Sequence, residues 1–181
     1  MIIGLSGYAQ SGKDTVANIL VEKHGYTRVA FADPIRKLLY EMDPLVPHED
    51  NAISYRLQDL VDSYGWDKAK VDFPEVRRLL QELGVGARKL FGDTFWINEA
   101  LFDVAPQDKV VVSDVRFENE AQWIQEFKGQ IWRVKRMGTS AVNDHVSESD
   151  LDGYPVDQIF LNNGSVEDLE VLIGTRMRAF V

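Results

Sequence analysis

The sequence contains no cysteine among its 181 residues, which excludes disulfide bonds and thiolate metal sites. Histidine is scarce as well, and the three scattered residues do not have the spacing of a structural zinc site. They are His24, His48 and His145. No apolar run approaches the roughly 20 residues that a membrane-spanning helix needs. We therefore expect neither a fold held together by disulfides or zinc nor a membrane protein.

Positive charge is also in short supply. The chain has 20 Lys and Arg residues against 29 Asp and Glu, which gives a formal net charge of −9. This balance disfavours sequence-independent binding to nucleic acid or to an anionic membrane, so any phosphate site must be a local basic pocket. The first residues enter an apolar strand without a basic leader, so we expect no signal peptide and a cytoplasmic location.

The sequence does contain a motif near its N-terminus. A short apolar run is followed by Gly7-Tyr8-Ala9-Gln10-Ser11-Gly12-Lys13 and then by a helical pattern, which is the G-x-x-x-x-G-K spacing of a phosphate-binding P-loop. The two glycines permit backbone geometries that a Cβ would forbid, so successive N–H groups can converge on an anion. The helix N-terminus and the Lys13 ammonium add positive charge. The motif predicts that a phosphate group binds to Gly7, Ala9, Gln10, Ser11, Gly12, Lys13, Asp14 and Thr15.

The residue after the lysine departs from the usual motif. A Ser or Thr normally stands there and binds Mg²⁺ through its hydroxyl, but this chain has Asp14, with Thr15 one place later. A carboxylate is a hard, charged oxygen ligand that suits Mg²⁺. We therefore expect Asp14 to act on the metal, directly or through water.

A second carboxylate is a candidate metal ligand. Asp114 ends the apolar run of residues 109–113, and such a run is typical of a strand covered on both faces. Its carboxylate should emerge at the C-terminal edge of the sheet, where the P-loop also lies, and could support Mg²⁺ through water. The alternative is that Asp114 caps the next helix.

The apolar periodicity predicts strands that alternate with helices. We expect strands at residues 1–6, 28–31, 109–114, 130–135 and 158–161. We expect helices from Asp14 to a stop at Gly25, from an N-cap at Asp33 with Pro34 as first residue, and over 50–64, 75–91, 94–101, 118–128 and 166–180, with a loop at 43–50 and a polar stretch at 65–72. This alternation predicts an α/β fold: a parallel five-stranded sheet with right-handed crossovers.

The prediction divides the chain into three parts of one domain. The core comprises residues 1–32, 106–135 and 156–181, and a helical insertion covers residues 33–105. The polar segment 136–155 is too long for a plain connection, and we interpret it as a short lid.

Arginine and lysine residues supply the candidate catalytic groups. Arg116 stands two residues after Asp114, where a guanidinium could bind phosphate with two hydrogen bonds. Arg136, at the start of the lid, could close onto a nucleotide. Together with Lys13, these are the predicted catalytic residues. Arg77, Gln81 and Arg88 form one stripe of a predicted helix, and the alternative reading of that stripe is an ordinary solvated face.

These motifs together resemble the deoxynucleoside monophosphate kinases that are common in bacteriophages, P-loop nucleotide kinases related to adenylate kinase. The resemblance is carried, in the family's order, by Gly12-Lys13-Asp14-Thr15, Phe31-Ala32-Asp33-Pro34 with Lys37, Arg77-x-x-Leu80-Gln81-x-x-Gly84, Ser113-Asp114-Val115-Arg116-Phe117-x-Asn119-Glu120 and His145-x-Ser147-Glu148. The Asp after the P-loop lysine is a feature that this family shares.

The resemblance implies a three-layer P-loop kinase with the P-loop strand central, an insertion that binds the monophosphate, and a lid. It implies transfer of a phosphoryl group from ATP to a deoxynucleoside monophosphate with Mg²⁺, giving ADP and a deoxynucleoside diphosphate, as part of deoxynucleotide biosynthesis. A phage-encoded enzyme would act in the host cytoplasm, and a homodimer is left open. The implied acceptor-binding residues are Asp33, Lys37, Arg77, Gln81, Arg88, Arg116, His145 and Glu148.

Three alternatives remain. Another small-molecule P-loop kinase, such as a dephospho-coenzyme A kinase, would share the sheet and bind a different acceptor on the insertion. A GTPase-type switch is disfavoured because no Asn-Lys-x-Asp motif follows a late strand. An acceptor at a nucleic acid end is disfavoured by the net charge of −9.

Overall fold

A computed structural model describes residues 1–48, 53–105, 107–139 and 151–179. Seven strands and seven helices lie in this part of the chain, in the order β1 (Ile2–Ser6), α1 (Lys13–His24), β2 (Thr27–Val29), α2 (Asp33–Met42), β3 (Leu45–Pro47), β4 (Ser54–Arg56), α3 (Leu57–Asp72), α4 (Pro74–Phe91), α5 (Phe95–Ala100), β5 (Val110–Val112), α6 (Glu118–Glu126), β6 (Gln130–Lys135), β7 (Gln158–Leu161) and α7 (Val166–Arg178).

The chain divides into two compact units. The first unit comprises Met1–Phe31 and Leu101–Val181, and the second comprises Ala32–Ala100. The roles assigned above to core, insertion and lid stay predictions. In the described part of the chain, every helix is too short or too polar to cross a lipid bilayer.

The first unit is built on a parallel sheet of five strands in the order β2-β5-β1-β6-β7. β1 is central, because Gly4 aligns with Val112 of β5 on one side and with Ile131 of β6 on the other. All three residues of β5 are buried, as a strand covered on both faces requires. The predicted α/β class and the central position of the P-loop strand are therefore confirmed.

Helices cover both faces of this sheet. Ile3 and Leu5 of β1 pack with residues of α1 and α7, including Leu20 and Ile173. Because side chains alternate along a strand, the residue between them faces the other side. That residue is Gly4, and a Cβ there would lie 2.7 Å from the Cδ1 of Ile124 in α6. The missing side chain lets α6 approach the central strand, and the unit has three layers.

The second unit contains α2, α3, α4 and α5 with the antiparallel pair β3–β4. Its core is a cluster of buried apolar side chains: Leu39, Val46, Leu57, Leu60, Ala69 and Val76. Trp96 of α5 donates its indole N–H to the carbonyl oxygen of Gly84 in α4 over 2.9 Å. A Cβ on Gly84 would lie 3.4 Å from the Cδ1 of Ile35 in α2, so the glycine serves close helix packing.

The predicted elements were wrong at the start of this unit. Residues 45–47, expected in a loop, form β3, and the helix expected from Asp50 begins only at Leu57, after β4. Val46 is fully buried between two exposed neighbours, which is a strand pattern too short to detect in the sequence. The polar stretch 65–72 is also helical, and α3 crosses a kink at Gly65, where φ is 73° and ψ is 161°.

The predicted start of α2 was wrong, whereas the predicted end of α1 is confirmed. Asp33 was expected as the N-cap of α2, but the helix begins at Asp33, and Ala32 occupies the cap position. The Asp33 carboxylate instead pairs with Arg36 at 3.1 Å, one turn along the helix. Gly25 ends α1 as predicted, in the left-handed conformation with φ of 70°.

Candidate active site

The loop between β1 and α1 has a backbone that requires glycine at two places. The φ angles of Gly7 and Gly12 are 135° and 102°, in the region that L side chains rarely adopt. A Cβ on Gly7 would lie 2.2 Å from the carbonyl oxygen of Val134, and a Cβ on Gly12 would lie 2.1 Å from Nδ2 of Asn162. Both glycines of the motif are therefore required by angle and by space.

Helix α1 begins where this loop ends. The N–H of Val16 donates to the carbonyl oxygen of Gly12 over 3.0 Å, and the N-cap residue Gly12 has no side chain to bond the first amides. These amides carry the positive end of the helix dipole. The Lys13 ammonium donates to the carbonyl oxygens of Gly7 at 2.6 Å and Tyr8 at 2.9 Å, so the lysine lies across the loop. The arrangement suits an anion such as a phosphate.

A cavity of about 440 Å³ adjoins this loop within the first unit. It is lined by Gly7, Tyr8, Ala9, Lys13, Val115, Arg116, Arg133, Val134, Lys135, Arg136, Thr139, Leu151 and Asp152. The three predicted catalytic residues, Lys13, Arg116 and Arg136, thus converge from three segments of the chain on one space. Five cationic side chains around it form a local basic pocket in a chain whose net charge is −9.

The segment after β5 carries Arg116 and is fixed by a buried carboxylate. Glu120, 4% exposed, accepts hydrogen bonds from the backbone N–H of Arg116 at 2.8 Å and of Phe117 at 3.1 Å. A buried carboxylate is stable when its oxygens are bonded in this way. The turn that presents Arg116 to the cavity is therefore tied to the first turn of α6.

Asp114, in the same segment, does not cap α6. The N-cap of that helix is Phe117, which excludes the alternative interpretation of this carboxylate. Its Oδ1 accepts the backbone N–H of Phe31 over 2.7 Å. Asp114 therefore links the end of β5 to the segment that follows β2.

Asp14, the other predicted metal ligand, is ion-paired. A guanidinium nitrogen of Arg28 lies 2.5 Å from its carboxylate, and Arg28 Nε donates to Oγ of Ser113 over 3.1 Å. The described residues contain no group of three or more His, Cys, Asp or Glu that could hold a metal ion. Mg²⁺ is commonly bound through one or two carboxylates together with substrate phosphates, and Asp14 and Asp114 supply carboxylates of this kind.

The cavity has a further wall that the sequence did not predict. Arg133 donates to the backbone carbonyls of Leu151, Asp152 and Tyr154. The Tyr8 hydroxyl donates to the Asp152 carboxylate over 2.7 Å, and this hydrogen bond raises the pKa of Tyr8 above its ordinary value. The P-loop and the segment that begins at residue 151 are therefore in direct contact.

In the second unit, the predicted stripe lies on one uninterrupted helix, α4. Arg77 is exposed, whereas Gln81 and Arg88 are half-buried. Gly84 lies on the same stripe, seven residues or about two turns after Arg77. It is buried against α2, the helix that carries the predicted residues Asp33 and Lys37. The five candidate acceptor residues of this unit therefore lie on two packed helices.

The neighbouring Arg78 behaves differently from Arg77. Its guanidinium pairs with Glu75 at 2.5 Å and with Glu82 at 2.6 Å, along the side of the helix. The bond to Arg78 also lowers the pKa of the Glu75 carboxyl. Arg78 is thus used within the helix, and only Arg77 of the two was predicted to bind a substrate.

The remaining predicted residues are placed as follows. Ala9 and Gln10 are exposed on the loop, Thr15 is half-exposed in the first turn of α1, and Ser11 is buried. The Ser11 hydroxyl has no hydrogen-bond partner among the described residues. His145 and Glu148, both predicted to bind substrate, lie outside the described residues.

Sequence reasoning missed Asn162, which it treated as part of a turn after β7. Its Nδ2 donates to the carbonyl oxygen of Ser11, inside the P-loop, over 2.9 Å. The available signal was positional: a polar residue directly after a parallel strand emerges at the sheet edge that the P-loop shares.

The chain is similar in sequence to known deoxynucleotide monophosphate kinases. A family model described as deoxynucleotide monophosphate kinase matches residues 47–173. A protein of Acanthamoeba polyphaga mimivirus, provisionally named a deoxynucleotide monophosphate kinase, is 30% identical over 177 residues, covering 93% of this chain and 91% of its own. The deoxynucleotide monophosphate kinase of Escherichia phage RB69 is 29% identical over 102 residues, covering 52% of this chain and 41% of its own.

Among solved structures, the Thermus thermophilus protein TT1252 aligns over 100% of this chain and 98% of its own, with 19% identity and a TM-score of 0.47.

Proposed function

The chain belongs to the deoxynucleotide monophosphate kinase family, and from this we propose that it transfers the γ-phosphoryl group of ATP to a deoxynucleoside monophosphate. The family assignment makes it an ATP-dependent phosphotransferase. The acceptor, the metal and the residues that bind them are our proposal.

One observation carries the proposal: Lys13, Arg116 and Arg136 line the same cavity beside the glycine loop. Phosphoryl transfer requires little covalent chemistry from the protein, because positioning and charge neutralisation supply most of the catalysis. A pocket lined by cationic side chains from three segments of the chain is suited to that task.

The donor would bind along the loop. The amides of residues 7–13 and the first turn of α1 would hold the β- and γ-phosphates, and the Lys13 ammonium would move from the loop carbonyls onto the γ-phosphate. In this exchange the lysine would give up two neutral acceptors for an anionic one, and the attraction between opposite charges would favour the phosphate.

In the transfer step, an oxygen of the acceptor phosphate attacks the γ-phosphorus. The bond from that phosphorus to the bridging oxygen breaks, and ADP leaves. The acceptor oxygen is already anionic, so no general base is needed. Arg116 and Arg136 would neutralise the charge that spreads over the transferring group, as cationic clamps do in such reactions.

We propose Mg²⁺ as the metal, because it would neutralise the charge of the donor phosphates. Asp14 and Asp114 would hold it. Both are oxygen ligands of the type that Mg²⁺ prefers.

In the second unit, the proposed acceptor-binding residues are Arg77, Gln81 and Arg88 on α4 and Asp33 and Lys37 on α2. In the first unit, Arg116 is the proposed acceptor-binding residue. Gln81 and Arg88 are half-buried, so they do not form an ordinary solvated face. The preference for a deoxyribose acceptor derives from the family. Because ATP and free monophosphates are cytoplasmic metabolites, we propose the cytoplasm as the place of action.

The test is an ADP-release assay with dTMP, dGMP, dCMP, dAMP, their ribose counterparts and dephospho-coenzyme A as acceptors. The proposal requires turnover with at least one deoxynucleoside monophosphate. Turnover with dephospho-coenzyme A alone would overturn the acceptor, and nucleotide binding without turnover on any acceptor would favour a switch.

A matched pair of variants tests the site on α4. Arg77→Ala should lower kcat/KM for the acceptor by roughly ten- to a hundredfold, the loss expected for a charged phosphate contact. Arg78→Ala removes an identical side chain at the next position, one held by Glu75 and Glu82, and should change kcat/KM less than about threefold. Equal effects of the two substitutions would contradict the assignment.

A further inference from the structure

The turn after β7 holds both loops that face the cavity. Asn162 donates from Nδ2 to the carbonyl oxygen of Ser11 in the P-loop, over 2.9 Å. Asn163, the next residue, accepts the backbone N–H of Met137 at its Oδ1 over 2.8 Å. Met137 directly follows Arg136, which lines the cavity. Two adjacent side chains therefore bond to two different functional loops.

The turn is itself held at both ends. On one side, the backbone N–H of Asn162 donates to the carbonyl oxygen of Lys135 over 2.7 Å, which continues the β6–β7 ladder. On the other side, Ser165 and Asp168 cap α7 reciprocally, with N–H to oxygen distances of 2.9 Å and 3.2 Å. A side chain that projects from so constrained a backbone can fix the position of what it bonds.

The contact with the P-loop is close. Nδ2 of Asn162 would lie 2.1 Å from a Cβ on Gly12, so the amide fills the space that a side chain at Gly12 would take. By holding the Ser11 carbonyl oxygen, it sets the orientation of the peptide that joins Ser11 to Gly12. The N–H of that peptide is one of those proposed to face the donor phosphates.

We propose that Asn162 is a positioning residue for the donor nucleotide: it orients the P-loop amides through the Ser11 carbonyl. The inference rests on the proposed function, because it assumes that the loop binds a nucleotide phosphate. Asn162 acts through the loop backbone, and its effect should fall on nucleotide affinity rather than on the acceptor.

Asn162→Asp and Asn163→Asp form a matched test. Both add one negative charge at adjacent positions. Only the first removes a donor that makes a hydrogen bond in the structure. Asn163 is used as an acceptor, and an aspartate retains that function. The shape of both side chains is preserved.

Binding of ADP with Mg²⁺ is measured by calorimetry without acceptor. We expect Asn162→Asp to raise the Kd at least tenfold, because a repulsion between two oxygens replaces the bond, and Asn163→Asp to raise it less than threefold. Asn162→Ala, a neutral variant, should raise it about three- to tenfold, the loss of one hydrogen bond. KM for the acceptor should stay within twofold in all three. Equal Kd values for the two aspartate variants would overturn the proposal.

Amide hydrogen exchange of residues 7–13 in the ligand-free protein gives an independent readout. Exchange should be faster in Asn162→Asp and Asn162→Ala than in Asn163→Asp and the wild type, with the melting temperature shifted by only a few degrees. Unchanged exchange in both Asn162 variants would overturn the positioning role. Failure of the wild type to bind ADP would instead overturn the proposed function, while the exchange data would still report on the loop.

Discussion

The guanidinium of Arg28 lies 2.5 Å from the carboxylate of Asp14, so the residue that replaces the usual P-loop hydroxyl is held by a cation from β2. Both side chains are substantially exposed, 42% for Arg28 and 77% for Asp14. An ion pair of this exposure contributes little to stability. The ion pair should instead affect metal binding, because a metal ion and Arg28 would compete for the carboxylate oxygens of Asp14.

The affinity for Mg²⁺ should therefore fall when Asp14 is replaced and rise when Arg28 is replaced. Asp14→Asn should raise the Mg²⁺ concentration for half-saturation, whereas Arg28→Ala should lower it by about two- to fivefold, as expected for release of an exposed pair. Calorimetric titration of Mg²⁺ into the ADP complex measures both. The control is Lys23→Ala on α1, which breaks an exposed ion pair with Glu170 of α7. If Asp14→Asn leaves the titration unchanged, Asp14 is not a metal ligand.

Lys13→Met should abolish phosphoryl transfer while the protein stays folded. Removal of a charge placed on the transferring group costs on the order of 10²- to 10³-fold in kcat. Lys13 is the first residue of α1 and is partly exposed rather than part of the core, so its loss should shift the melting temperature only slightly. Turnover and thermal unfolding are measured together, with Lys23→Met as the same change on the same helix. Activity near the wild-type level in folded Lys13→Met would contradict the P-loop assignment.

Glu120→Ala should weaken both the fold and the acceptor site. The buried carboxylate accepts two backbone N–H groups, and loss of such charge-assisted bonds costs about 1.5–3 kcal/mol in the free energy of unfolding. Because the turn that carries Arg116 is released, kcat/KM for the acceptor should fall as well. Urea denaturation and steady-state kinetics measure the two effects. The exposed Glu126 of the same helix gives the control Glu126→Ala, expected within about 0.5 kcal/mol of the wild type.

The hydrogen bond from Tyr8 to Asp152 should make stability depend on pH in alkaline solution. It raises the pKa of the Tyr8 hydroxyl in the folded state above the value of about 10 for an unfolded tyrosine. A raised pKa means that the bond's contribution is complete below about pH 10 and is lost as the pH rises through the folded-state pKa. Melting temperatures between pH 8 and 11 should therefore fall more steeply for the wild type than for Tyr8→Phe. Parallel curves would show that this bond contributes nothing.

The first unit was the more predictable of the two. A continuous apolar run such as Val110–Val112 is typical of a buried parallel strand. The glycine loop has the specific spacing of a P-loop, so few other folds fit the two patterns together. The second unit was less predictable. Val46 alone carries the burial of β3, and one buried residue in a three-residue strand gives no periodicity to detect.

Some residues of the candidate site could be predicted from the sequence, and others could not. Lys13, Arg116 and Arg136 could be predicted because each follows a strand at the edge where parallel strands end. The bonds of Asn162 and Tyr8 to distant segments could not, because they join residues separated by 151 and 144 positions. The packing of the glycines on α4 could not be predicted from the sequence either, because Gly84 packs against Ile35, whereas a Cβ on Gly86 would meet nothing within 4 Å.

The two glycines of the P-loop differ in whether a second mutation could compensate for their replacement. At Gly7 the obstacle to a side chain is the backbone oxygen of Val134, which no substitution removes. At Gly12 it is the side chain of Asn162, which a second mutation could shorten. A selection for revertants of Gly12→Ala should therefore recover changes at codon 162, each only a partial suppressor because the φ of 102° still disfavours alanine. Gly7→Ala should yield true revertants alone.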